Sequence, residues 1–318
     1  MKHIIVLGGV GLIGSHLCRS LIKNGDRVTC IDTRGVGASP ILHEVIYEES
    51  FRYIHHDIAH PFEIDCDYIV NLASTATHHL GNTPHSTVLK TDILGAINSL
   101  ETARHNGAKV LYASTGNIYT QTFDNSANEQ SCSATPTNFE VEGKRAAEAL
   151  HRAYNVDSRI ARIFNTYGTG CTLTDNRVIP AMILDALYNR DITIYGSGEQ
   201  QRTFCWVGDI VEALRKMMSA PRGKATMIYN LGSTHEISIR ELAERIIALT
   251  GSRSHINHIA ARHNDPRRKM PNISRARKEL KWEPTISLNE GLKRTVEYIE
   301  RELSTAEYSR RSWIEINY

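Results

Sequence analysis

The feature that most constrains the fold is a glycine-rich turn near the N-terminus, Leu7-Gly8-Gly9-Val10-Gly11-Leu12-Ile13-Gly14. The run before it, His3-Ile4-Ile5-Val6-Leu7, reads as a buried strand, and Leu12 to Lys23 carries a helical pattern. Arg27-Val28-Thr29-Cys30-Ile31 reads as a second strand that ends on Asp32. Strand, glycine turn, helix, strand and acidic residue in that order form the layout of a dinucleotide site. Gly8, Gly11 and Gly14 let the backbone approach a pyrophosphate. Leu12 and Ile13 open a helix whose free N–H groups and positive dipole end face it. Asp32 is placed to accept both hydroxyls of an adenosine ribose and would repel a 2′-phosphate. NAD is therefore expected over NADP, with Arg34 the one residue pointing the other way. The alternative is a glycine-rich turn in some other α/β fold.

The 318 residues suffice for one large α/β domain, or one large and one small. A net charge of +2 gives no reason to expect nucleic acid or an anionic membrane as partner. No apolar run reaches spanning length, and the N-terminal one is too short and glycine-broken for a signal peptide. The 6 cysteines lie far apart with no Cys-x-x-Cys pair. They read as free thiols of a cytoplasmic protein, not as disulfides or a zinc site, and no metal is expected.

Further strands are expected at Phe51–His55, which leads to Asp57 and Ile58, at Tyr68-Ile69-Val70-Asn71-Leu72-Ala73-Ser74, which runs into a small-residue loop, at 109–114 and at 159–164. Asp57 is a candidate for the adenine amino group, and Leu72, Ala73 and Ser74 lead into the loop where a cofactor could pass beneath the sheet edge. Long helices are expected over 84–106 and 140–154. Strands separated by helices at this rhythm imply an α/β fold with a doubly wound parallel sheet. Residues 1–170 are expected as the dinucleotide-binding domain, 171–306 as a smaller substrate lobe interleaved with the sheet, and 307–318 as a tail. Helices over 209–218, 238–250 and 289–302, with short strands at 192–195, 227–231 and 255–259, belong to the later part.

Several segments together carry a resemblance. They are the glycine turn, Asn71-Leu72-Ala73-Ser74, Leu111-Tyr112-Ala113-Ser114-Thr115, Glu142-Gly143-Lys144-Arg145-Ala146-Ala147-Glu148 and Ala161-Arg162-Ile163-Phe164-Asn165-Thr166-Tyr167-Gly168. Ile194-Tyr195-Gly196-Ser197-Gly198, Gln200-Gln201-Arg202-Thr203-Phe204, Asp265-Pro266-Arg267-Arg268-Lys269 and Trp282-Glu283-Pro284 extend it almost end to end. The chain resembles the extended short-chain dehydrogenase/reductases that act on nucleotide sugars, and among them the UDP-glucuronate decarboxylases most. The resemblance implies NAD as a recycled hydride carrier and a UDP-sugar substrate. It also implies a homodimer in which the 84–106 and 140–154 helices pair across subunits as a four-helix bundle. In such enzymes hydride leaves sugar C4, the ketone makes the C6 carboxylate a β-keto acid that loses CO2, and hydride returns. That chemistry needs a base on the C4 hydroxyl, a Lys on the nicotinamide ribose and a Ser or Thr hydroxyl beside the reacting oxygen.

Lys144 and Thr115 match the last two requirements. The family's base is a Tyr four residues before the Lys, and Glu140 stands there. A carboxylate is ionised at neutral pH and can accept a proton, although an ordinary pKa of about 4.3 makes it a weak base for an alcohol. The competing reading is that Glu140 forms a helical salt bridge with Lys144. Gly116 and Asn117 occupy the positions of the Ser-Glu pair of the decarboxylases, so the usual carboxylate is absent there and Asn117 is left as a sugar contact. Its loss argues most against 4,6-dehydration, less against decarboxylation, and least against C4 oxidation or 4-epimerisation.

The resemblance assigns Asn165 and Arg202 to the sugar diphosphate, where a bidentate guanidinium suits the role. Arg177 and Arg268, within Arg267-Arg268-Lys269, extend that clamp, and Tyr195 is a candidate to stack on uracil. A basic residue of the family is Gly170 here. His78 and His79, in the loop that should border the sugar, offer a substitute acid. The expected function is NAD-dependent modification of a nucleotide sugar through C4 oxidation, decarboxylase-like, with Glu140 or a bound water as base. An epimerase or C4 oxidoreductase is the nearest alternative, and a binding protein that has lost catalysis is the alternative of another class.

Overall fold

The computed structural model describes residues 1–74, 84–119, 139–221, 227–261 and 265–317, with side chains to residue 305. The chain begins β1 (His3–Leu7), α1 (Leu12–Lys23), β2 (Arg27–Asp32), β3 (Phe51–His55) and β4 (Tyr68–Asn71). It continues through α2 (His85–Asn106), β5 (Lys109–Thr115), α3 (Phe139–Ala153), β6 (Ser158–Ile163) and β7 (Thr166–Tyr167). The second half holds α4 (Val178–Leu187), β8 (Ile192–Tyr195), β9 (Gln201–Thr203), β10 (Cys205–Trp206), α5 (Val207–Ser219) and β11 (Met227–Leu231). It closes with β12 (Glu236–Ser238), α6 (Ile239–Thr250), β13 (Ile256–Ile259), β14 (Arg268–Lys269) and α7 (Leu288–Asn317).

Seven parallel strands form the central sheet in the order β11-β6-β5-β4-β1-β2-β3. The apolar runs of β1, β4 and β5 are buried on both faces, as a parallel sheet covered on both sides requires. One face packs α1 and α5 against Val6, Val28, Val70 and Tyr229, and the other packs α2 and α3 against Ile5, Ile69, Val110 and Tyr112. Strand order reverses between β1 and β4. That switch point opens a crevice at the C-terminal ends of the strands, where open α/β sheets bind ligands.

The later part of the chain contributes twice. α5 and β11 complete the main sheet and its covering, whereas α4, α6 and α7 pack around Ile183, Leu242 and Leu292 as a second core over the crevice. α4 is absent from the sequence reading because Val178-Ile179-Pro180-Ala181-Met182-Ile183-Leu184 is apolar almost all round and shows no helical stripe. α7 runs unbroken to Asn317, so the 307–317 segment expected as a separate tail continues a helix.

Strands β5 and β6 carry much of the crevice, and a buried pair ties them to α3. Arg162 donates from Nε and Nη2 to Glu148 at 2.9 and 2.7 Å, and Ser114 donates to the same carboxylate at 2.6 Å. Arg162 also donates to Tyr119 Oη at 2.7 Å, and Tyr119 donates to Asn230 on β11 at 2.8 Å. Removing one partner strands a buried charge. Glu148→Ala is expected to lower unfolding free energy by about 3–5 kcal/mol in urea titrations. A loss below about 1 kcal/mol, the size of an exposed pair, would contradict the reading.

Candidate active site

At the crevice, Gly8 adopts φ +75 and donates its N–H to Ile31 O at 2.8 Å. A Cβ there would stand 2.7 Å from Ala73 N, and one on Gly14 would overlap the Gly8 carbonyl oxygen. The turn is packed so closely that only hydrogen fits, which brings backbone N–H groups to the mouth of α1. Gly11 caps that helix without any side-chain acceptor, so the first-turn N–H groups of Leu12, Ile13 and Gly14 face the crevice uncapped by side chains. At the tip of β2 the two Asp32 oxygens accept from Val10 N and Arg34 N, each at 2.9 Å, which fixes the carboxylate beside the turn.

Leu72 and Ser74 line the crevice wall, while Ala73 packs against Gly8. Asp57 Oδ1 accepts from Ala59 N at 2.9 Å, and Ile58 is buried against Gly95. The uncapped helix end, the tight glycine turn and the fixed carboxylate fit a dinucleotide.

Beside this cradle lies a cavity of about 720 Å³, a size suited to a sugar nucleotide. It brings together Thr115, Asn117, Glu140, Lys144, Asn165, Arg177, Tyr195 and Arg202, which are dispersed along the sequence. Thr115 ends β5, and its Oγ1 accepts from Asn117 N at 3.1 Å. Asn165 donates its amide to Thr203 O at 3.1 Å. Arg177 pairs with the buried Asp175 through Nε at 2.9 Å, and Arg202 pairs with Asp265. Tyr195 is 38% exposed at the cavity rim.

Arg268 is not among the lining residues. Its guanidinium is held in a two-pronged pair with Glu236, both contacts at 2.6 Å. Lys269 lines the cavity in its place, because successive residues of an extended strand face opposite ways. The period of two was the available signal. Lys269 donates to Asn117 Oδ1, and β14 sets it in register with Arg202 on β9. Burial and the Arg202 charge push its ammonium down to about 8, against Glu140 and Asp265, which pull it up.

Lys144 forms an ion pair with Asp92 of α2 at 3.0 Å. A Cβ on Gly116 would come 2.8 Å from the Phe164 ring, so the position has no room for a larger side chain as Phe164 stands. Lys269 was named only as part of the run Arg267-Arg268-Lys269, with Arg268 singled out, and Asp92 was missed because no local pattern marks it. His78 and His79 lie outside the described residues.

Lys269 can attract a diphosphate only while protonated, below about pH 8. UDP affinity measured by calorimetry is therefore expected to fall as pH rises through about 8, and the step should vanish in Lys269→Met. Parallel profiles for the two proteins would count against a role in anion binding. A second expectation concerns the cradle: Gly14→Ala should abolish NAD binding, and retained affinity would contradict the packing described.

The profile of the NAD dependent epimerase/dehydratase family matches residues 4–232. UDP-glucuronic acid decarboxylase 1 of Danio rerio is 38% identical over 312 residues, covering 95% of this chain and 73% of that protein. The dTDP-glucose 4,6-dehydratase DesIV of Streptomyces venezuelae, solved with NAD bound, superposes with a TM-score of 0.85 at 26% identity, covering 94% of this chain and 97% of that one. UDP-glucose 4-epimerase of Thermotoga maritima, solved with UDP-glucose, gives a TM-score of 0.84 at 25% identity, covering 95% and 99%. The names of these relatives describe three different reactions: decarboxylation, 4,6-dehydration and 4-epimerisation. The chain belongs to the NAD-dependent epimerase/dehydratase family, the extended short-chain dehydrogenase/reductases.

Proposed function

We propose that the protein acts on a UDP-linked hexuronic acid, oxidising C4 and releasing the C6 carboxylate as CO2, with Glu140 as the base. The observation that carries this reading is one cavity that gathers hydroxyl, carboxylate and ammonium (Thr115, Glu140 and Lys144) with the basic side chains of Arg177, Arg202 and Lys269. The likeness to UDP-glucuronic acid decarboxylases supports the choice of sugar. NAD, when bound, supplies the hydride acceptor at C4 and returns the hydride.

The residues divide the remaining work. Asn165, Arg177, Arg202 and Lys269 hold the diphosphate, and Tyr195 stacks on uracil. Glu140 accepts the O4 proton, and the Thr115 hydroxyl donates to the oxygen as its charge develops. The C4 ketone places the C6 carboxylate β to a carbonyl, and the C5–C6 bond breaks with its electron pair passing into a C4–C5 enolate. Protonation at C5 and return of hydride to C4 complete a pentose nucleotide.

Asn117 and the Gly116–Phe164 contact favour a second reading. They leave no carboxylate at the usual C5 position, and 4-epimerisation or C4 oxidation needs none. The free thiols at Cys18, Cys30, Cys66, Cys171 and Cys205 support a cytoplasmic setting, and no helix among the described residues is long and apolar enough to cross a membrane.

Incubation with NAD+ and UDP-glucuronate, followed by mass spectrometry, is expected to show loss of CO2, abolished in Glu140→Gln. Unchanged mass with inverted C4 would establish the epimerase instead, and full turnover by Glu140→Gln would remove Glu140 as base.

We also propose homodimerisation through α2 and α3. Leu94 is exposed, and Leu89, Ile93 and Ile97 are only half-buried, a helical apolar stripe on the outer side of α2. Light scattering is expected to give twice the 35.7 kDa chain mass, and one chain mass for Ile93→Arg/Ile97→Arg. A monomeric parent protein would contradict this.

A further inference from the structure

The carboxylate of Asp92 is the most demanding group in the molecule outside the residues assigned so far. Its side chain is 0% exposed and sits in the middle of α2, where it meets α3. Its Oδ1 pairs with the Lys144 ammonium at 3.0 Å, and among the described residues Oδ2 has no hydrogen-bond partner. A buried carboxylate in that position is tolerable only with a compensating cation. The neighbouring helix makes room for it: a Cβ on Gly143 would stand 2.8 Å from Asp92 Oδ2.

The ammonium of Lys144 is equally confined, at 5% exposure. It donates to Ala113 O at 3.1 Å and lies over the Tyr112 ring, 4.9 Å from its centroid. Asp92 and Ala113 hold it from two sides, and Lys144 lines the cavity.

We propose that Asp92 is a positioning residue for the cofactor site: it fixes the Lys144 ammonium at the cavity floor and cancels its charge, so that a positively charged nicotinamide can lie beside it. Without Asp92, Lys144 would confront the oxidised ring with an uncompensated charge but would not repel the neutral reduced ring. The carboxylate thereby sets the balance between NAD+ and NADH as well as the place of the side chain. Its selectivity for the oxidised cofactor distinguishes it from a residue that only packs α2 on α3. The inference rests on NAD binding in the cradle and is independent of which sugar is turned over.

The other groups around Lys144 do not supply this compensation. Tyr112 on β5 is fully buried, and burial pushes its phenol well above the ordinary range. His151 on α3 is pushed down to about 3 by burial and by Lys144 itself, so it is neutral. Glu148 is committed to Arg162, and Glu140 lies one turn back on α3. Desolvation pulls Lys144 down, whereas Asp92 and, after it, Tyr112 pull it up, and the upward pull prevails. Asp92→Asn leaves the downward pull, and the ammonium should lose its proton at moderately alkaline pH.

The test is fluorescence titration of nucleotide-free protein with NAD+ and with NADH, at neutral and at alkaline pH, with no sugar present. Asp92→Asn is expected to weaken NAD+ about tenfold more than NADH at neutral pH, and the difference should shrink at alkaline pH as Lys144 discharges. Asp92→Asn/Lys144→Met should show no such skew at either pH. Gly143→Ala keeps both charges, crowds the carboxylate out of place and should skew the two affinities in the same direction, which provides a readout should Asp92→Asn not fold. Equal weakening of both cofactors, or no change, in every folded variant would reduce Asp92 to a packing residue and overturn the proposal. Either result leaves the sugar reaction to be judged on its own products.

Discussion

The structure depends first on a backbone approach so close that no side chain can intervene. Gly8 lies against Ala73, and Gly14 against the Gly8 carbonyl, so β1, the 72–74 loop and the start of α1 converge within van der Waals distance. That convergence aims α1 at the crevice and leaves its first N–H groups uncapped by side chains. Asp32, held by Val10 N and Arg34 N, then fixes one end of a dinucleotide site, and the sheet's reversal between β1 and β4 supplies the space beside it.

α3 is the second organising element, because both of its buried charges face the sheet. Glu148 binds Arg162 and Ser114, which locks β5 to β6, whereas Lys144 turns to Asp92 and the end of β5. Two neutral buried pairs thus hold the ends of the strands that present Thr115 and Asn165. Charges that face the cavity are in a different state. Lys269 and Arg202 are like charges close together, set against the carboxylates of Glu140 and Asp265.

Most of the sheet was legible because its strands are short apolar runs and its helices carry a stripe. The glycine turn with Asp32 was legible as a candidate cofactor site, since each residue there answers a local need of the backbone or of a ribose. What escaped depends on partners distant in sequence. α4, apolar on nearly every side, gives no period to detect. Lys269 meets Asn117 across 152 residues, and only the strand register decides that it, and not Arg268, turns inward. Asp92 looks like any polar residue on an amphipathic helix until α3 is laid against it. The spacing along α3 could not show that Lys144 also meets a buried carboxylate on another helix.

The central claim is that C4 chemistry proceeds between Thr115 and Glu140 in the place of a Tyr base. A ternary crystal structure with NAD and UDP-glucuronate tests it most directly. O4 is predicted to lie within about 3 Å of both Thr115 Oγ1 and the Glu140 carboxylate. An O4 that contacts Thr115 but lies beyond hydrogen-bond reach of Glu140, with another side chain in the proton-accepting position, would contradict it.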